Sequence, residues 1–154
     1  MNTKIESIKK LRLFLLKHIE GLSVEQLNEI PQDFNNNIIW NVGHMLSAFQ
    51  SLTYKRAGLP EKIQENYFKP FVPGTKPEQF FDGETIEIIK SLLVSTIDVF
   101  MIDYENKIFE NYTKSEGIER TYNIEVATID AALDFLLYHE GLHIGYILAQ
   151  KHLV

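Results

Sequence analysis

Four segments of this chain repeat apolar residues every three or four positions, which is the spacing of one face of an α-helix. Polar residues that can cap a helix precede the later segments, and Gly21 follows the first. We therefore predict four long helices, which run from Thr3 to about Glu20, from candidate caps at Asn35, Asn36 or Asn37 to a point before Gly58, from Asp82 or Thr85 to about Asn111, and from about Thr128 nearly to the C-terminus.

The connections between these helices differ in length and composition. Ser23 and Gln26 have the spacing of a capping box, which predicts a short helical turn that ends before Pro31. Residues 57–83 contain four prolines and three glycines and cannot sustain a helix. Such a long connection is unusual unless it crosses a bundle or covers a site. We predict an all-α fold, a single four-helix bundle domain over residues 1–154 with a long crossover between the second and third long helices.

The charge of the chain disfavours several classes of partner. Fifteen basic and twenty-one acidic residues give a net charge of −6, which opposes a broad nucleic-acid surface. No run approaches about 18 consecutive apolar residues, and residues 1–20 lack a signal-peptide pattern. We expect a cytoplasmic protein without nucleic-acid or membrane partners. The basic residues of the first helix are interpreted as a solvated face: Lys4, Lys9, Lys10, Arg12 and Lys17.

The chain has no cysteine, so histidine and carboxylate are its available metal ligands. His139, Glu140 and His143 spell H-E-x-x-H, the pattern of a zinc-protease helix, in which two histidines on one helix face share a metal. The common protease patterns also place a third ligand downstream. Here position 149, where the extended pattern needs His, is Ala149, and no carboxylate follows His143. A zinc protease is therefore disfavoured.

The five histidines have different predicted surroundings. His18 and His152 lie at the ends of predicted helices, where a positive side chain complements the helix dipole. His44 lies on the apolar stripe of the second long helix and, taken alone, is more simply a hydrogen-bonded core histidine. His139 and His143 share the inward face of the fourth helix, where each buried ring nitrogen needs a partner. Together with His44 they provide three nitrogen ligands, the protein ligand count of an open zinc site.

One divalent metal ion is the expected cofactor, with zinc as the first candidate and nickel, iron or manganese as alternatives. Glu140 lies about 60° around the helix from His143 and is a candidate catalytic base or a hydrogen-bond acceptor for a ligand. An ordinary, partly exposed glutamate is equally consistent with the pattern. Gly141 and Gly145 each cost the helix about 1 kcal/mol relative to Ala, which indicates a close approach by another helix or by the metal pocket.

The segments WNVGHM and YHEGLHIGYIL resemble the DinB-like family of small metal-binding helical bundles. In that family a His on the second helix, often four residues after a Trp, joins two His of the last helix around one divalent metal. The corresponding residues here are His44, which follows Trp40, and His139 with His143. The resemblance spans nearly the whole chain, including helix order and the long crossover.

The resemblance implies a metal-dependent small-molecule enzyme, such as a thiol S-transferase or a hydrolase, whose partner is a small-molecule substrate, with a low-molecular-weight thiol as one candidate. A metal there would stabilise the deprotonated form of a thiol or water. The alternative is a non-catalytic metal- or ligand-binding bundle with a closed site. Family members often carry Gln three residues after the second His, where this chain has Tyr146. If this Gln helps to orient a ligand or substrate, the same role is filled here by Tyr146 or Gln150, or it is absent.

The fourth predicted helix is apolar on more than one side, and a helix that is apolar nearly all round is expected to be buried nearly all round. We therefore predict a homodimer, which the resemblance also implies. The alternative is that the crossover and residues 112–127 cover this face within one chain. The residues concerned are Leu133, Leu136, Leu137, Leu142, Ile144, Ile147 and Leu148.

Overall fold

The computed structural model describes residues 2–154, and these residues form helices and turns without a β-strand. No helix in this range has the length and apolar character needed to cross a membrane. The α-helices are α1 (Thr3–Ile19), α2 (Val24–Asn28), α3 (Ile38–Leu52), α4 (Gly83–Glu105), α5 (Glu116–Tyr122) and α6 (Ile129–Gln150).

The four long helices form the predicted bundle. Helix α1 packs against α4 and α6, and α3 packs against the same two helices, so each long helix has two long neighbours. Between α3 and α4 the crossover contains only short 3₁₀ turns, as its proline content predicts. These turns are Lys55–Ala57, Glu65–Tyr67 and Lys69–Phe71. The all-α bundle with one long crossover is thus confirmed.

Side-chain caps fix where most of these helices begin. The side chain of Asn37 accepts from the backbone N–H of Trp40 at the start of α3, and Asp82 and Thr128 cap α4 and α6 in the same way. Ser23 and Gln26 form both hydrogen bonds of a capping box at α2. The predicted starts of the short helix and of the three later long helices are therefore confirmed.

The predicted end of the third long helix was wrong. Helix α4 ends at Glu105 rather than near Asn111, because the chain turns at Lys107, which has a left-handed φ of 57°. This turn brings Phe109 back into the core, with its ring centre 5.0 Å from that of Phe100. The polar stretch that follows contains α5, a helix that the periodicity did not predict.

A close contact holds the crossover onto α3 next to His44. The ring of Phe71 is fully buried, and a Cβ atom built on Gly43 would lie 2.5 Å from it. Any side chain at this position would displace the ring, so Gly43 is the residue that lets the crossover pack directly on the helix.

Arg12 does not belong to a solvated face, and that part of the prediction was wrong. Its side chain is fully buried, on the same stripe of α1 as Ile8 and Leu15. The guanidinium pairs with the equally buried carboxylate of Glu140 at 2.6 Å and donates to the backbone carbonyls of Leu93 and Met45. One side chain thus connects α1 with α3, α4 and α6.

Much of the apolar surface of α6 is covered within a single chain. Leu133, Leu136, Ile144 and Ile147 are buried among the other helices. Residues 112–127 add a small cluster over the N-terminal half of α6, in which Ile118 and Val126 pack with Ala132 and Phe135. The homodimer stays a prediction. Because much of the apolar surface of α6 is already covered within one chain, that surface supports a dimer less than expected.

We predict that Arg12→Met destabilises the fold by about 3–5 kcal/mol, because it leaves the carboxylate of Glu140 buried without a counter-charge. The double variant Arg12→Met/Glu140→Leu should recover most of this loss, since it removes both charges from the core. Urea unfolding measures the free energy of unfolding of both variants. Lys9→Met, which removes a partly exposed partner of Asp98, is the matched control and should change stability much less. A double variant no more stable than Arg12→Met would contradict this account.

Candidate metal centre

Three histidines from two helices meet inside the bundle. His44 comes from α3, and His139 and His143 come from successive turns of one face of α6. One nitrogen of each ring lies within 4.8 Å of one nitrogen of each of the others. The predicted candidate ligands are therefore neighbours in space, although 95 residues separate the first two.

The spacing of the ring nitrogens fits a metal ion. The Nε2 atoms of His44 and His139 lie 3.2 Å apart. Zinc–nitrogen bonds of about 2.0–2.1 Å at tetrahedral angles separate two ligand nitrogens by about 3.3 Å. The three rings lie with their centres 4.4–5.1 Å apart and are tilted by 45–52° to one another rather than stacked.

The crossover fixes the orientation of His44. Its Nδ1 lies 2.7 Å from the carbonyl oxygen of Phe71, which can only accept a hydrogen bond, so Nδ1 carries the proton and Nε2 keeps its lone pair. The hydroxyl of Ser47 donates to the same carbonyl at 2.8 Å. On its other side the His44 ring stacks on Trp40, with 4.8 Å between ring centres and 10° between planes.

A chain of amides fixes the orientation of His143. Its Nδ1 lies 2.8 Å from Oδ1 of Asn41. The amide nitrogen of Asn41 donates to oxygens of Asn36, Asn37 and Gln150, which leaves its oxygen to accept from the imidazole. His143 therefore also presents Nε2 with a free lone pair. Acceptors of this kind hold metal-binding histidines in one tautomer.

Gln150 takes a supporting part that Tyr146 does not. The amide of Gln150 donates to Asn36 and accepts from Asn41, so it holds the residue that orients His143. Tyr146 is 45% exposed, and its ring meets Phe34 edge to face. Of the two residues considered for the family's Gln position, Gln150 supports His143 through the hydrogen bonds of Asn41, and Tyr146 lies beside His143 with 6.5 Å between ring centres.

His139 is the least satisfied of the three rings. Its Nδ1 is buried and has no hydrogen-bond partner among residues 2–154, and its Nε2 faces the lone pair of His44. Lone pairs that converge in a buried space are unfavourable unless a proton or a metal ion lies between them. The residues present thus fit a divalent ion held by three imidazoles.

All three imidazoles are held in the neutral form. Burial lowers the pKa of His44, and burial together with the neighbouring histidines lowers the pKa of His139 to about 2. Burial, followed by the proximity of His44, lowers the pKa of His143 to about 3. Since metals bind the unprotonated ring, neutral pH leaves all three nitrogens ready to coordinate.

A cavity of about 800 Å³ is lined by the three histidines. Its walls come from α3, α6 and the segment 113–122, and the crossover contributes Lys55, Arg56 and Pro73. Residues 57–83 were expected to cross the bundle or cover a site, but they contribute only Pro73 to the cavity lining, and the segment between α4 and α6 covers it instead. One face of the histidine cluster is therefore accessible to a small molecule.

Glu140 is not placed to act as a base here. Both carboxylate oxygens accept from Nε of Arg12 at 3.1 Å, the side chain is fully buried, and Glu140 is not among the residues that line the cavity. Gly141 and Gly145 also differ from expectation, because no atom of the described chain beyond their chain neighbours and their own helix backbone lies within 4 Å of a Cβ built on either.

Sequence reasoning missed the residues that orient the ligands. Asn41 stands three residues before His44 on α3, and this spacing was the only signal that it shares the inward face. The carbonyl of Phe71 has no side-chain signature. The role of Gly43 depends on a ring 28 residues later, which no local pattern reveals.

Fold and site together define an all-α bundle with a three-histidine cluster between its second and last long helices. The sequence model of the DinB superfamily matches residues 9–147, which include all three histidines. The chain belongs to the DinB superfamily, and the resemblance seen in the sequence is confirmed. No match was found among curated proteins.

We predict that the metal-free protein loses stability as the pH falls below about 6.5. Unfolded histidines bind protons near that pH, whereas the pKa values of about 2 and 3 keep His139 and His143 unprotonated in the folded protein. The unfolded state then binds more protons, so stability rises with pH up to about 6.5. Urea unfolding with a chelator, at about pH 7.5 and pH 5, measures the slope.

His139→Gln should flatten this pH dependence, because one low-pKa ring is removed. His152→Gln removes an exposed histidine at the end of the chain and is the matched control, which should keep the slope of the wild type. An unchanged slope in His139→Gln would contradict the prediction.

Proposed function

We propose that His44, His139 and His143 bind one divalent metal ion, with zinc as the first candidate, and that the protein is a metal-dependent small-molecule enzyme of the thiol S-transferase or hydrolase type. The observation that carries the proposal is the open cavity beside the three nitrogens. A divalent ion held there would lower the pKa of a coordinated thiol or water and leave it beside a second substrate.

The residues of the chain have defined tasks in this proposal. Nε2 of His44 and of His143 would be available to hold the ion, because the Phe71 carbonyl and the Asn41 side chain accept the Nδ1 protons. Trp40 lies flat against His44 and excludes water from that side of the ring. The cavity has no carboxylate among its described lining residues, so a proton released from a thiol or water would find no carboxylate there to accept it.

The non-catalytic alternative expects a closed site. A fourth protein ligand or packed apolar side chains would then occupy the remaining coordination position. Among residues 2–154, the cluster of candidate ligands contains the three histidines and no carboxylate. The cavity and the missing fourth ligand support an enzyme over a storage or structural role.

We predict that the purified protein binds one equivalent of zinc and that His44→Ala/His143→Ala weakens binding by at least about a hundredfold, because two of three ligands are lost. Elemental analysis and calorimetric titration measure this. His18→Ala/His152→Ala is the matched control, since it removes two histidines outside the cluster. Equal zinc binding by the two double variants would overturn the site assignment.

Asn41→Ala tests, in the same titration, how much the hydrogen bond that orients His143 contributes to zinc affinity. It removes the acceptor for Nδ1 of His143 and keeps all three ligands, so we expect zinc affinity to fall about 10- to 100-fold. Thr53→Ala is the matched control, because Thr53 is buried at the end of the same helix and its hydroxyl donates to the Phe49 carbonyl, away from the histidines. Circular dichroism establishes that both variants remain folded.

We predict thiol transfer or hydrolysis that depends on the metal. The zinc-loaded and chelator-stripped proteins are compared with chlorodinitrobenzene as electrophile and cysteine, glutathione or coenzyme A as thiol, and with nitrophenyl acetate for hydrolysis. Rates above background should require the metal and be lost in His44→Ala/His143→Ala. Tight zinc binding without any such rate would favour the non-catalytic alternative.

A further inference from the structure

The cavity beside the histidines has an unbalanced positive charge. Lys55, Arg56 and Arg120 line it, and among residues 2–154 no Asp or Glu does. This contrasts with the whole chain, whose net charge is −6. A cleft that is lined by one sign of charge concentrates the field and attracts ligands of the opposite sign.

These three cations have no carboxylate partner within the described part of the chain. Basic residues elsewhere do pair, as Lys4 does with Asp134. Lys55 instead lies over the ring of Phe68, with its Nζ 5.6 Å from the ring centre. Its ammonium group is therefore left without a counter-charge.

Arg56 is held in position rather than free in solvent. It is half-buried, and its Nη1 donates to the carbonyl oxygen of Lys114 at 3.0 Å. Its own carbonyl accepts from the backbone N–H of Thr113. One of the five guanidinium N–H groups is thereby used, and the remaining donors keep the planar fork that matches a carboxylate or phosphate.

The remaining walls of the cavity are suited to the neutral part of a ligand. Phe135, Ile118 and Leu142 provide apolar surface, and the hydroxyls of Ser51 and Thr121 provide hydrogen-bonding groups. A ligand that fills the cavity therefore has a body of mixed polarity between the histidines and the cationic wall.

We propose that Arg56, Arg120 and Lys55 form an anion subsite, which binds a carboxylate or phosphate group of the substrate while the reacting end of that substrate lies at the three histidines. The position of the reacting end rests on the proposed metal function. Binding of the anion does not, because the cationic side chains are present with or without a metal.

The first experiment compares two thiols on the zinc-loaded protein by calorimetry. 3-Mercaptopropionate and 3-mercaptopropionamide differ only in the replacement of a carboxylate by a neutral amide. We expect the carboxylate form to bind at least about tenfold more tightly, since hydrogen bonds between charged groups are stronger than those of a neutral amide. The preference should shrink between about 50 and 500 mM salt because of screening.

Substitutions test whether the named residues cause this preference. Arg120→Gln and Arg56→Gln should each reduce it to about threefold or less, and Arg120→Lys should keep part of it because the charge remains. Arg120 is exposed, so its substitution does not threaten folding. Lys10→Gln removes an exposed charge on α1 and should leave the preference unchanged. Equal affinity for the two thiols, or an unchanged preference in Arg120→Gln and Arg56→Gln, would overturn the proposal.

A second arm uses chelator-stripped protein titrated with succinate and with inorganic phosphate. Tighter binding of one of them, weakened in Arg120→Gln, identifies the anion as carboxylate or phosphate. Binding of neither would overturn the subsite. Anion binding to stripped protein, together with no thiol binding to zinc-loaded protein, would instead refute the proposed thiol function and leave the subsite standing.

Discussion

The buried ion pair between Arg12 and Glu140 is the contact on which the arrangement of the bundle depends. Burial raises the pKa of Glu140, and the guanidinium opposes this shift by stabilising the charged carboxylate. Because Arg12 also donates to the carbonyls of Leu93 and Met45, the pair is satisfied only when all four long helices are in register. His139 directly precedes Glu140 on α6, so the same contact fixes the rotation that turns His139 towards α3.

This geometry explains why an H-E-x-x-H sequence does not make a protease here. Successive residues on a helix point about 100° apart, so His139 and Glu140 face different neighbours. His139 and His143 face α3, where His44 completes the cluster, whereas Glu140 faces Arg12 on α1. The glutamate of the motif serves the packing of the bundle, whereas the two histidines and Leu142 line the cavity.

The sequence predicted the features that depend on local spacing. Helix starts followed from caps such as Asn37 and Asp82. The histidine cluster followed from the shared helix face of His139 and His143 and from the position of His44 on the apolar stripe of the second long helix. Features that depend on a distant partner were missed. Arg12 looked like a surface residue because its partner lies 128 residues away, and the end of α4 depends on Phe109 returning to the core.

The charges around the cavity form one consistent arrangement. Three neutral imidazoles would leave the two positive charges of a bound divalent ion uncompensated, and the described cavity walls add Lys55, Arg56 and Arg120 but no carboxylate. The carboxylate nearest in sequence, Glu140, is already neutralised by Arg12 and faces away. A site of this kind gains most from a ligand that brings its own negative charge. The metal and the cationic wall would therefore favour the same class of molecule, a deprotonated thiol or water at one end and an organic anion at the other.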